Sequence, residues 1–594
     1  MDGKNAGGVL VWLCLAGVLG SCASAPRTSP PTPADTGGSG PPAGLSQRER
    51  ESFYHLAQGN EHLWLAVLRA LPSRSTLEGR VAGFQSFLDE PERFGLLADP
   101  DSPEGLPVGV ALVPTTERHP VARVGINCAA CHVGEFRYGD ARVRVDGAPS
   151  LLNMDDFNRE AVEVLARTLA DRTRLLAFLE RLAVYLPEQT RGGKPLHLEE
   201  VSDERLQQAY PDTDLMPDGN SSAREKLVAE VEWYCGSQET SPCRPPVLGP
   251  DPARLREFDE QLVQYVHELS LRQVRTVPDA IRVLRGHLLY FMRLGKLRFA
   301  THAGPGRVDA FGVARGVLFG PQVAGVLDAP VSYPCLWEFQ TSPWLHWDGN
   351  TNSIMERNIG QALGMGAIVD RRTFESSVLP RNLAEMERLS RKIVSPRWPE
   401  EAFGTLDAAR IERGRGLFAQ NCQGCHDKPG VIPLEVVGTD GNRARSFASM
   451  VGDLEFPAAL QDLISRVKQR AYAREAMSQE EIRSQEPDVV YWRAPMGYVS
   501  RPLAGIWASP PYLHNGSVPT LWDLLHPVAQ RPARFPLGQH EYDPEKVGYA
   551  SEVSGTPRFT FDVSMPGNGN GGHEYGTSLS DEEKRDLIEY LKSL

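Results

Sequence analysis

A chain of 594 residues is too long for one compact core, so two or three domains are the natural expectation. Hydrophobic residues at 41% and charged residues at 23% are ordinary for a folded protein, whereas 55 Gly and 47 Pro point to many loops between short elements. A net charge of −13 argues against nucleic acid as a partner and leaves a basic protein, a neutral polymer or a small molecule.

Lys4 precedes an apolar run from Val9 to Leu19 that is too short to span a bilayer and suits the hydrophobic part of a secretion signal. The run ends in Leu19-Gly20-Ser21-Cys22, which resembles a bacterial lipoprotein cleavage box. That resemblance implies cleavage before Cys22 and lipidation of its thiol, and Ala23 implies sorting to the outer membrane. An ordinary signal cut near Ala25 is the alternative. Residues 23–45 are mostly Pro, Ser, Thr, Gly and Ala, which cannot bury a core and read as a flexible tether. The expected division is a leader at 1–22, a tether at 23–46, a first domain at 47–405 and a second at 406–594.

Cys128-Ala129-Ala130-Cys131-His132 is the first chemical motif, and Cys422-Gln423-Gly424-Cys425-His426 repeats its C-x-x-C-H pattern. Two thiols at that spacing can each add to one vinyl group of a porphyrin, and the adjacent His then offers its imidazole to the iron. Zinc or a redox-active dithiol are the competing readings, but zinc leaves the His after each pair unexplained. The motifs therefore predict two covalent haem c groups, with His132 and His426 as proximal ligands. Between them, 155–185 and 253–298 read as helical. Cys235 and Cys243 lie in one polar loop where an exported protein could form a disulfide, and Cys335 reads as a core residue.

Gly414 and Phe418 precede Cys422 at helical spacing, the arrangement of the first helix in cytochrome c folds. The chain closes on a matching helix. Ser580 and Glu583 make a capping box, and Leu587, Leu591 and Leu594 form its apolar stripe. In such folds the first and last helices cross at a small residue. Val121 to Ile126, ahead of Cys128, lacks this pattern, so the first domain is expected to be divergent or heavily inserted.

Three further stretches resemble the bacterial di-haem cytochrome c peroxidase superfamily: Trp344-Leu345-His346-Trp347-Asp348-Gly349-Asn350, Pro511-Tyr512-Leu513-His514-Asn515-Gly516, and Gly572-His573-Glu574-Tyr575-Gly576. The departures are informative. The peroxidases' catalytic Gln and Glu fall here on Arg357 and Ala367, with Glu356 one position off, and their Met ligand to the second haem falls on Val528. An Ala cannot move a proton and a Val cannot bind iron. These departures, with Gly304-Pro305-Gly306-Arg307-Val308-Asp309-Ala310-Phe311, are similar to the rubber oxygenase branch. That resemblance implies dioxygen activation at the first haem and a second haem, held by two histidines, that relays electrons.

The expected fold is mainly α and loop-rich, with two cytochrome c-like haem domains and a large insertion in the first. His573, in the Gly-rich loop before the last helix, is the expected second ligand of the His426 haem, with His514 as its rival. His346 and Trp347 are expected near the first haem, Phe311 and Phe319 as an apolar wall over its iron, and Arg307 on a haem propionate. The expected activity is that of an exported di-haem oxidoreductase acting on a hydrophobic substrate or with a small redox donor. A peroxidase and a non-catalytic electron carrier are the alternatives. Calcium between the domains is compatible with the sequence but not shown by it.

Overall fold

The computed structural model describes residues 44–594 apart from 103, 116–120, 171, 187–282, 285, 289, 292–296, 338 and 553–556. The expected leader, most of the tether and the Cys235–Cys243 pair lie outside the described residues, as does most of 253–298. Among the described residues no helix is long and apolar enough to cross a membrane.

Helix α1 (Gln47–His55) starts at a capping box made by Ser46 and Glu49. A three-stranded antiparallel sheet comes next, with β3 (Arg123–Ile126) between β1 (Leu63–Trp64) and β2 (Val110–Val113). Strand β3 runs directly into Asn127, whose side chain accepts the Ala129 amide (2.9 Å) and starts the one-turn helix α2 (Cys128–Cys131). The Asn127 side-chain amide also donates to the carbonyls of Phe53 (3.2 Å) and Leu56 (3.1 Å), fixing the first C-x-x-C-H turn against the end of α1. Gly109 lies against this turn with φ of 83°, and a Cβ there would sit 2.0 Å from the Ala130 nitrogen. After His132 the chain forms a hairpin, β4 (Val133–Tyr138) with β5 (Ala141–Asp146). Helices α3 (Met154–Ala170) and α4 (Arg172–Tyr185) match the helical pattern read over 155–185.

Helix α5 (Ala310–Phe319) is capped by Asp309, and α6 (Ile354–Gly364) by Ser353. Helix α7 (Ala408–Asn421), capped by Asp407, leads into the one-turn α8 (Gln423–His426) at the second C-x-x-C-H. Strand β6 (Gly430–Pro433) pairs antiparallel with β7 (Gly497–Ser500), and between them α9 (Phe456–Arg474) packs on α6. The closing helix α10 (Asp581–Lys592) has the predicted capping box and crosses α7 at Gly414, where a Cβ would lie 2.0 Å from the Asp586 carbonyl oxygen. Arg413 (2.6 Å) and Arg410 (3.2 Å) both reach the Asp586 carboxylate across that crossing.

Two expectations about the fold are corrected. The described residues are 41% helix and 15% strand, with eight small sheets among them, so the fold is not mainly α. The apolar residues before Cys128, which lack the cytochrome helix pattern, pair as the middle strand of a sheet, because Val110–Val113 offers them a ladder. Nor do the two motif-bearing halves stand apart as separate haem domains. Ala43–Leu594 is one compact unit, and one of its cores draws on Phe136, Trp398 and Phe403 as well as Trp507, Tyr542 and Leu591. Phe403 stacks on Tyr542 at 4.8 Å, and Phe136 meets Trp507 at 5.7 Å.

Candidate haem-binding sites

The second C-x-x-C-H opens onto a cavity of about 210 Å³ lined by Cys422, Cys425, His426 and His573. The Nδ1–H of His426 donates to the Arg501 carbonyl at 2.7 Å, which fixes the tautomer and leaves Nε2 as the free ligating nitrogen. His573 arrives from the Gly-rich loop with φ of 47°. Its amide donates to Val437 (2.8 Å), and Arg531 clamps the loop by donating to the carbonyls of Asn570 (2.7 Å), Gly572 (2.8 Å) and His573 (3.2 Å). Asn515, from the stretch around His514, holds the start of the same loop through Gly567 (3.1 Å) and Gly569 (2.9 Å).

The rings of His426 and His573 lie 6.2 Å apart, centre to centre. A metal–imidazole bond is about 2 Å and the nitrogen lies about 1 Å from its ring centre, so two imidazoles on opposite sides of one metal stand about 6 Å apart. Burial lowers the His573 pKa to about 4, and the neighbouring His426 adds to the effect. Both rings are therefore held neutral, the form that binds metal. His514 lines the same cavity but stacks on Tyr498 at 3.8 Å.

At the first motif, the Nδ1–H of His132 donates to the Pro334 carbonyl at 2.8 Å, again leaving Nε2. Burial first, and then the charge of Arg357, pushes its pKa down to about 3. Gln58 donates to the Cys128 sulfur at 3.0 Å. His346 is half-buried, keeps φ of 63° and bonds Asn350 Oδ1 through Nδ1 at 2.8 Å. Arg357 acts on His346 as it does on His132, so both histidines lie within its field. Phe311 meets the His346 ring edge-on at 5.2 Å, whereas Phe319, two turns further along α5, packs on Phe456 at 6.0 Å. Trp347 lines the cavity of the second site and donates its indole N–H to Ser332 at 2.8 Å.

Two buried arginines differ in degree: Arg307 leaves only its Nε without a hydrogen bond, Arg443 leaves two nitrogens. The terminal nitrogens of Arg307 donate to Ala303 (3.0 Å) and Asn568 (2.6 Å), and its guanidinium lies over Phe561. Arg443 is 3% exposed and lies 3.7 Å over Phe311, with Asp348 at 3.7 Å, yet its Nε and one terminal nitrogen have no hydrogen-bond partner. A buried guanidinium with idle donors is costly unless an anion meets it, and the carboxylates of a haem supply that chemistry. The donor sets, the ring separation and the two unsatisfied donors of Arg443, whose charge Asp348 already partly meets, all fit haem. Sequence reasoning missed Arg443 and Arg501, since nothing local separates a buried arginine from the many on the surface.

Glu356, the off-position carboxylate, is committed elsewhere. It takes Lys468 (2.7 Å) and Ser465 (3.0 Å) on one oxygen and the Trp492 indole (2.7 Å) on the other. A second cavity of about 400 Å³ has a mostly apolar wall that includes Val124, Ile126, Val308, Val313 and Met365.

Two proteins of Sinorhizobium fredii are similar to this chain, and both are described as uncharacterized. One, y4iJ, is 27% identical over 92% of each chain; the other, y4iM, is 30% identical over 44% of this chain and 63% of its own. Residues 497–536, which hold Arg501, His514, Asn515 and Arg531, match the RoxA-like, cytochrome c-like family model. The chain thus contains a stretch similar to that family, and a cytochrome c-like domain implies covalently bound haem c and the chemistry of a haem oxidoreductase.

Proposed function

We propose that this protein is an exported c-type oxidoreductase with two haems, one open for dioxygen activation and one closed for electron relay. Cys128, Cys131 and His132 hold the first; Cys422, Cys425, His426 and His573 hold the second. The carrying observation is the 6.2 Å separation of the His426 and His573 rings. Haem iron supplies the oxygen and electron-transfer chemistry. The chain's own residues orient it: Pro334 and Arg501 fix the two proximal tautomers, and Arg443 meets a propionate.

Glu356 supports an oxygenase over a peroxidase, because three donors hold the carboxylate that could have replaced the missing acid–base group at Ala367. Trp347 lines the cavity of the second site, and Phe311 beside His346 contributes an apolar wall. The apolar lining of the larger cavity supports a hydrophobic substrate. The leader and tether support a lipoprotein anchored to the outer membrane through Cys22.

One observation favours a second reading. His346 is half-buried with its ring edge on Phe311, and Arg357 lowers the pKa of both it and His132; a neutral ring there would close the first haem and make the protein a pure electron carrier. The test is carbon monoxide binding to the reduced protein, run beside peroxide-dependent oxidation of a reduced small cytochrome. Binding at one haem with no peroxide turnover supports the oxygenase. Rapid turnover makes the protein a peroxidase, and no binding at either haem makes it a carrier.

A further inference from the structure

Arg501 follows β7 in the wall between the two candidate sites and touches both by different parts of itself. Its backbone carbonyl accepts the Nδ1–H of His426 at 2.7 Å. Its guanidinium donates to the Cys335 carbonyl at 3.3 Å. The neighbouring carbonyl on that segment, Pro334, is the one that accepts the Nδ1–H of His132 at 2.8 Å. The guanidinium also lies 5.4 Å from the ring of Trp347, and all four residues line the same cavity. One residue therefore joins the hydrogen-bond acceptor of one proximal histidine to the segment that holds the other.

We propose that Arg501 is a positioning residue that sets the reduction potentials of both haems together, through the two proximal-histidine hydrogen bonds and its own positive charge. The inference rests on the two-haem reading. A proximal imidazole becomes more electron-rich as its Nδ1–H donates more strongly, which favours the ferric iron. A fixed cation in the wall opposes the extra positive charge of the ferric state at either iron, and its half-buried position leaves it only partly screened by solvent. The charge reaches both sites from the one side chain and sets the sign of the shift, while the His426 bond is made by the main chain and stays in a side-chain variant. Removing it thus moves two potentials, whereas a residue serving one haem moves one.

The experiment titrates the potentials of the full-length wild type, R501Q and R501K by spectroelectrochemistry, with each haem followed by its own absorbance and paramagnetic signals. Covalent haem content is measured first. In R501Q both potentials fall, by about a tenfold change in the ferric-to-ferrous ratio at fixed applied potential (about 59 mV for one electron). R501K, which keeps the charge, shifts both less. If only the His426 haem responds, or neither does, in variants with wild-type haem content, the coupling is wrong and the two-haem reading stands. If wild type carries fewer than two covalent haems, the reading falls and takes this inference with it. If R501Q fails to fold, R501K decides: no shift at either haem overturns the proposal, and a smaller joint shift upholds it.

Discussion

His573 keeps a left-handed backbone, at a cost of about 1 kcal/mol or more for a residue with a Cβ, and Arg531 holds it there by three carbonyls. Strain held in place this way belongs to a residue whose position matters. H573A should keep both haems covalently attached while the His426 haem loses its six-coordinate, low-spin spectrum and gains carbon monoxide binding; an unchanged spectrum overturns the ligand assignment. A second buried histidine serves stability alone. His287 donates from Nδ1 to Val283 (2.8 Å) and accepts the Trp64 amide on Nε2 (2.9 Å), so only the neutral ring fits. Burial lowers its pKa from 6.5 to about 4. The unfolded chain binds this proton first, so the stability the neutral ring contributes is complete above pH 6.5 and is lost as pH falls toward 4. The loss is on the order of 3 kcal/mol. Urea midpoints measured across this window should fall with pH in wild type and fall less steeply in H287Q. The two C-x-x-C-H motifs and the candidate His573 stand out in the sequence because local spacing and a Gly-rich loop mark them. Arg443 and Arg501 do not, because their roles arise from contacts with residues far away in sequence.

Helices α7 and α10 were legible down to their point of contact. Gly414 has to be small there, since its missing Cβ faces the backbone of Asp586 and the Tyr590 side chain, and a backbone carbonyl cannot turn aside cheaply. G414A should cost about 1–3 kcal/mol by overpacking, seen as a lower urea midpoint. The element ahead of Cys128 was not legible in the same way. A short apolar run carries no period that separates strand from helix, and its partner Val110–Val113 is only adjacent once the chain has folded.

The molecule as a whole departs most from its sequence-based picture. A boundary at 405 looked natural because each half carries its own haem motif. Apolar surface respects no such division: Phe136, Trp398 and Phe403 bury themselves against Trp507 and Tyr542, and each aromatic pair adds about 0.5–1.5 kcal/mol beyond its buried area. A chain truncated after residue 405 should therefore lack a cooperative thermal transition by circular dichroism, and a cooperative melt would restore the two-domain picture.

The His426–His573 pair has a topological consequence. On the proposed reading, thioether bonds would fix a haem to the chain at Cys422 and Cys425, and an iron held also by His573 would cross-link two points far apart in sequence. A link closing so long a loop removes unfolded-state entropy as a disulfide does, on the order of 5 kcal/mol at the upper limit. Unlike a disulfide, it opens to a competing small ligand. Added imidazole that displaces His573 should therefore release the carboxy-terminal loop while both haems stay attached, making this staple one that solution chemistry can undo and remake.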